Sequence, residues 1–200
     1  MALPLPETVQ GSVVAQDILL FPRAFSWGLD LIHTAERLNK WQPATQIDPY
    51  RESEYVNDHR NNDRTAVHHK IHQDWAPFEA GLESLFHACA RVYKSYNEFL
   101  IISVDTGYDL LRYKAGQHFK THVDGAVGGV QRQLSAIAYL NDDYDGGELA
   151  FPRQGVQIKP SAGDIVLFPS SISFPHESVG VSAGVKYAVV TWFIADPRFK

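Results

Sequence analysis

The chain reads as an α+β, mainly β, domain: a sandwich or barrel of short strands with two helices packed on one outer face. Three observations predict it. From Phe99 onward, short β-rich runs alternate with turn residues at near-regular spacing, as in sandwiches and barrels. Ahead of that region, two stretches repeat apolar residues at helical spacing. The composition is 44% hydrophobic and 20% charged over 200 residues, enough for one real core. A single domain over 1–200 follows, with helical support over about 1–98 and the β core over about 99–197.

In chain order, Pro4, Pro6 and Gly11 mark an extended arm, with a first strand at Ser12–Leu20. Trp27, Leu31, Ala35 and Leu38 form one face of a helix between Ser26 and Asn39, and Ser26 is a fitting N-cap. Residues 42–64 are polar and read as mostly loop, with room for a short strand. Phe78, Leu82, Leu85, Cys89, Val92 and Tyr96 alternate spacings of four and three, a continuous helical stripe. Asp74 can cap its start, and Pro77 suits a first turn. Cys89, the only cysteine, lies on the stripe and reads as a buried small hydrophobe. The strands expected next are Phe99–Val104, Tyr108–Tyr113, Phe119–Asp124, Gln133–Leu140, Glu148–Phe151, Gly155–Ile158, Ile165–Phe168 and Tyr187–Ile194.

Several function classes fall away. Net charge is −5 and the pI is about 6.0, so nucleic-acid binding has no electrostatic support. A lone cysteine forms no internal disulfide, no signal peptide is evident, and no apolar run suits a membrane helix. The expected setting is cytoplasmic, with no membrane partner. Gly125-Ala126-Val127-Gly128-Gly129 lacks the Lys-Ser/Thr ending of a phosphate loop. It reads as a loop bordering a site, and residues 125–132 with the polar 50–70 segment are expected to flank the substrate mouth. Ser170, Ser171 and Ser173 stand near His176 without a Gly-x-Ser-x-Gly elbow; they read as a turn presenting that histidine.

Nine histidines invite a metal question. His122 and Asp124 stand two apart, so on a strand their side chains share a face. His176, between Pro175 and Glu177, is a candidate third ligand. Two imidazoles and a carboxylate suit ferrous iron, leaving three coordination positions open. Alone, a His-x-Asp pair arises often by chance. Lys186, ten residues beyond His176, shares a strand face with Ala188, Val190 and Trp192. A lysine opening a strand is usually solvated; if this face lines the interior, Lys186 is a buried cation that needs an anion. Tyr139, on one face with Ser135 and Ile137, is either a core aromatic or a phenol facing the same anion. His68, His69 and His72 form a second cluster; no paired acid is evident near it in sequence, and it reads as solvated.

Taken together, the C-terminal half resembles the prolyl 4-hydroxylase branch of the 2-oxoglutarate- and Fe(II)-dependent dioxygenases. The matching pieces stand in family order. They are Arg112-Tyr113 with Gly116-Gln117, then His122 and Asp124, then Tyr139-Leu140-Asn141, then Gly146-Gly147-Glu148 with Phe151-Pro152. Ala162-Gly163-Asp164 with Phe168-Pro169 follows, then His176-Glu177, then Lys186-Tyr187 with Trp192.

The resemblance implies a double-stranded β-helix, or jelly roll, with iron on His122, Asp124 and His176. It implies 2-oxoglutarate as co-substrate with O₂, and ascorbate as reductant. The 5-carboxylate would meet Lys186 and Tyr139, with Tyr113 near the co-substrate and Trp192 on the substrate side. Arg132 either faces the mouth or pairs with a surface acid. The implied reaction hydroxylates an unactivated C–H bond, releasing succinate and CO₂; an intact Asp124 favours this over halogenation. A prolyl residue in a peptide or protein is the expected substrate, with a free amino acid or other small molecule as alternative. A non-catalytic jelly-roll binding module is the competing class. Phe119 stands where relatives often carry tyrosine, and Lys186 where another branch carries arginine.

Overall fold

The computed structural model describes residues 3–48, 53–55, 58–127 and 130–195. Parts of the 50–70 segment and Gly128-Gly129 lie outside these.

A hairpin opens the fold, β1 (Ser12–Ala15) and β2 (Ile18–Phe21), followed by helix α1 (Gly28–Leu38). Four short strands come next: β3 (Gln42–Pro43), β4 (Gln46–Asp48), β5 (Ser53–Tyr55) and β6 (Asp63–Ala66). Helix α2 (Ala76–Tyr96) is followed by β7 (Val104–Asp105), β8 (Asp109–Lys114), β9 (Phe119–His122), β10 (Ala126–Val127) and β11 (Val130–Tyr139). Then come β12 (Asp145–Gly146), β13 (Leu149–Phe151), β14 (Val156–Ile158), β15 (Ile165–Pro169), β16 (His176–Ser178), β17 (Val181–Ala183) and β18 (Val185–Ile194).

The major sheet runs β1-β2-β15-β11-β18-β8-β6-β3, with β10 on β11 and β7 on β18; the minor sheet runs β14-β13-β16-β9. All pairings are antiparallel, and the two sheets form the jelly roll expected from the sequence. Alternation along each central strand divides the core in two. Leu110, Leu134, Ala136, Ala138, Val189 and Phe193 face outward and pack with α1 and α2. Tyr139, Phe151, Phe168, Phe174 and Ala188 fill one part of the interior, and Leu111, Tyr113, Tyr144 and Val190 another.

The helices stand where their periodicity places them, with different ends and a different stripe. Trp27, not Ser26, holds the N-cap position of α1, and no side chain caps it. A 3₁₀ turn, Gln73–Trp75, precedes α2, because buried Trp75 anchors the chain there. Asp74 therefore does not cap α2; its amide donates to His72 Nδ1 and its carboxylate pairs with Arg37. Pro77 stands in the first turn of α2. Phe86 and Tyr93 join the buried face of α2, while Tyr96 turns out to solvent, 57% exposed. Cys89 is buried, and burial pushes its thiol up to about 12.

The expected strand at Phe99–Val104 is the clearest miss. Phe99 and Ile101 are 85% and 72% exposed, and no ladder forms until Val104 and Asp105 pair with the end of β18. In the other direction, β16 and β17 were not foreseen; they are short, and their polar residues conceal the alternation. Residues 42–64 hold four short strands where mostly loop was expected. Among the described residues, no helix is long and apolar enough to cross a membrane.

Candidate metal centre and dicarboxylate pocket

Register brings the three expected metal ligands together. On the minor sheet His122 and His176 are direct cross-strand partners, with ring centroids 4.3 Å apart. Asp124 follows β9 by two residues. Its Oδ1 lies 3.7 Å from His122 Nε2 and its Oδ2 lies 3.6 Å from His176 Nε2. These separations are too long for hydrogen bonds. They suit three donors turned toward one ion.

The protein fixes each donor from behind. Lys120 O accepts from His122 Nδ1 at 2.8 Å, and Phe174 O from His176 Nδ1 at 3.2 Å. This puts the ring protons on Nδ1 and leaves both Nε2 lone pairs toward the centre. Burial lowers His122 to about 3, with His176 adding to it; the imidazole is neutral at ordinary pH, as a ligand must be. Burial opposes ionisation of Asp124, but His176, His122, Ser135 and Trp192 outweigh it and hold the carboxyl at about 2. Ser135 Oγ donates to Asp124 Oδ2 at 2.7 Å, and Trp192 bonds the same carboxylate. Ser135 and Trp192 are themselves cross-strand partners on β11 and β18, so one register point of the major sheet supports a candidate ligand just beyond a strand of the minor one.

Aromatic rings back the site. Phe119 stacks on His122 at 3.5 Å and 10°, and Phe168 packs edge-on against His176 at 4.5 Å. The Arg60 guanidinium lies over Phe119, and that of Arg132 over Trp192 at 3.6 Å. Arg132 Nη1 lies 3.4 Å from Asp124 O. Burial lowers its pKa, and Asp124 and Asp109 oppose that. Gly125 N–H donates to Ser170 O, and Ser170 Oγ meets Ser135 Oγ at 2.8 Å. Ser170 therefore braces the loop carrying Asp124, in addition to the turn Ser171 makes with Phe174.

Deeper in the barrel, Lys186 on β18 is 2% exposed. Its Nζ donates to Gly147 O and Ser178 Oγ, each at 2.7 Å. The ammonium lies 5.1 Å from the Tyr113 ring and 5.4 Å from that of Tyr139. Burial, reinforced by Lys159, lowers Lys186 to about 7. Tyr113 bonds Ser178, and burial raises its phenol and that of Tyr139. Gly147 has a φ of 68°, and a Cβ there would strike Tyr144 and the Lys186 stem, so glycine leaves room for the lysine. Among the described residues, no carboxylate pairs with Lys186. A buried ammonium whose hydrogen-bond partners are neutral fits one end of a dicarboxylate, and two imidazoles with one carboxylate fit an iron ion.

Sequence reasoning missed Ser135 as a support for Asp124, and Ser178 and Gly147 as partners of Lys186. The facing register, invisible in one strand read alone, is their only signal. Arg112, from the family motif, points away from the site and pairs with Asp63 and Glu36. The His68–His69 cluster does have an acid: Glu79 on α2 meets His68 at 3.3 Å and His69 at 2.6 Å. His72 is not part of it.

Residues 108–194 match the family model of the 2OG-Fe(II) oxygenase superfamily. The chain is 38% identical over 74 residues to prolyl 3-hydroxylase 2 of Mus musculus, covering 34% of this chain and 10% of the relative. Prolyl 3-hydroxylase 1 of Homo sapiens is 38% identical over 72 residues, with the same coverage. The chain thus spans about a tenth of the length of these curated relatives. Among solved structures, it resembles the viral collagen prolyl hydroxylase of Paramecium Bursaria Chlorella virus-1, with TM-score 0.66 and 18% identity over 92% of this chain and 100% of that one. It also resembles a prolyl hydroxylase of Trichoplax adhaerens solved with a hypoxia inducible factor peptide, with TM-score 0.71 and 19% identity over 90% and 84% of the two chains.

Proposed function

We propose that the protein is an Fe(II)- and 2-oxoglutarate-dependent dioxygenase that hydroxylates a prolyl residue in a peptide or protein. The observation that carries this reading is one interior with two complementary ends. Two imidazoles and one carboxylate stand at one end, and a buried ammonium with no carboxylate partner among the described residues stands at the other. The superfamily match over residues 108–194 supports the class, and the relatives named above support the prolyl substrate.

In this reading His122 Nε2, His176 Nε2 and Asp124 hold the iron. Ser135 and Trp192 keep the Asp124 carboxylate oriented and charged. Lys186 anchors the distal carboxylate of 2-oxoglutarate, with the Tyr113 and Tyr139 rings as walls. Iron and 2-oxoglutarate supply the oxidising power when bound; the protein supplies position, charge and a shaped cavity. Ascorbate serves as reductant. Arg132 and Trp192 border the substrate.

The test is succinate release from 2-oxoglutarate with Fe(II) and ascorbate, alongside mass spectrometry of a proline-rich peptide library. A gain of one oxygen on proline is expected, and fragmentation with reference hydroxyprolines assigns the ring position. Absence of succinate with every peptide would overturn the reading. Hydroxylation only of free amino acids would move it to a small-molecule enzyme.

A further inference from the structure

We infer that Tyr144 is a third phenol of the dicarboxylate pocket, a hydrogen-bond donor held for the same carboxylate that Lys186 anchors. This deepens the function proposed above and rests on it.

Tyr144 stands between β11 and β12, where no strand alternation marks which way a side chain faces. Its ring lies in the interior. It is 5% exposed and packs in one apolar cluster with Leu111, Tyr113, Val181 and Val190. A Cβ at Gly147 would lie 2.8 Å from Tyr144 Cε2 and 3.1 Å from Lys186 Cδ, so the ring edge and the lysine stem flank one glycine. Burial raises the Tyr139 phenol and Tyr144 adds to that effect, which sets the two phenols near each other. The neighbours of Tyr144 are thus Lys186, Tyr113 and Tyr139, the groups that define the pocket, and all four are at most 5% exposed.

Among the described residues, the Tyr144 hydroxyl has no hydrogen-bond partner. A buried hydroxyl left so destabilises the fold, and a ligand oxygen beside it would remove that penalty. The ring is held from outside. The Lys159 ammonium lies 4.1 Å from its centroid and donates to Tyr144 O at 3.0 Å and to Gly146 O. Burial raises the Tyr144 phenol, and Asp142, Glu148, Asp164 and Asp143 raise it further, so at neutral pH the group is an uncharged donor.

The ligand needs such a donor. A carboxylate accepts at about four sites. Lys186 commits hydrogens to Gly147 O and Ser178 Oγ, which leaves a single N–H for the ligand. Tyr113 is engaged with Ser178. Tyr139 and Tyr144 are the phenols that remain to complete the shell of the carboxylate.

The experiment uses the full chain loaded with Zn(II), a redox-inert and diamagnetic stand-in for iron, isotope-labelled at the phenol carbon of its nine tyrosines. Tyr144→Phe assigns the Tyr144 NMR signal by its loss. Bound 2-oxoglutarate should move that signal, and in Tyr144→Phe its affinity, read by calorimetry, should fall about tenfold. The unliganded variant should melt no lower than the parent, since it loses a hydroxyl that had no partner. A signal unmoved by bound ligand, an unchanged affinity or a lower melting temperature overturns the role. Glutarate, which keeps both carboxylates and lacks the oxo group, separates this role from the function it rests on. A Tyr144 response to glutarate in a protein that releases no succinate from 2-oxoglutarate keeps the role and removes the dioxygenase reading. Binding of neither acid overturns both.

Discussion

The two ends of the interior are built on opposite principles. At the metal end every donor is held by the protein before any ion arrives: His122 and His176 by backbone carbonyls, Asp124 by Ser135 and Trp192. At the other end Lys186 is buried with only a carbonyl and a hydroxyl as partners. One end is preorganised; the other carries a desolvation cost that an anion would relieve. Position and charge are thus separate tasks, assigned to separate places.

The comparison can be broken most directly at Asp124. Asp124→Ala should abolish turnover and iron binding, read as succinate release and metal content; an active variant would overturn the ligand assignment. Lys186→Met comes next, and its two effects should oppose each other. Affinity for 2-oxoglutarate should fall roughly a hundredfold, as for loss of a buried charge partner. The unliganded protein should gain about 1–3 kcal/mol of stability, because a costly buried ammonium is gone. Calorimetry and thermal melting check both, and a variant that loses stability would show that Lys186 is already well satisfied.

The pH dependence sharpens the same contrast. Lys186 titrates at about 7 in the unliganded fold, well below its ordinary 10.5. Between these values the unfolded chain binds more protons, so the Lys186 contribution to stability rises with pH. A bound carboxylate favours the ammonium, so 2-oxoglutarate should bind with proton uptake near pH 8 and weaken as pH rises from 7 to 9. Calorimetry in buffers of different ionisation enthalpy reads the proton directly. The smallest effect belongs to the supports of Asp124. Ser135→Ala should weaken metal binding about tenfold while leaving 2-oxoglutarate-site stability effects unchanged. Trp192→Phe should do the same, since it keeps a ring beneath Arg132 and loses only the N–H.

Much of this was legible in the sequence because the signals were periodic or paired. The period of two in β18 placed Lys186, Ala188, Val190 and Trp192 on one face, and Leu82, Leu85 and Cys89 marked the buried side of α2. What stayed hidden depends on partners. Ser135 is an ordinary strand serine until register sets it opposite Trp192. Glu79 sits ten residues from His69, and only the turn before α2 brings them together. Phe99 and Ile101 have strand-like chemistry, but among the described residues no strand pairs with them. Phe119, which marked a departure from relatives, turns out to stack on a metal-ligand candidate, a role that needs a ring and no hydroxyl.

One feature of the topology reaches further. His122 and His176 belong to the minor sheet, whereas Lys186, Tyr139 and Trp192 belong to the major one. Under the function proposed above, the gap between the sheets would work as a caliper whose jaws grip opposite ends of one small molecule. Its setting is fixed by the apolar side chains wedged between the jaws, Phe151, Phe168 and Ala188 among them. Trimming Phe168 would leave every polar contact chemically intact and still loosen the ring that backs His176, so the proposed chemistry would be calibrated by apolar residues that donate nothing to it.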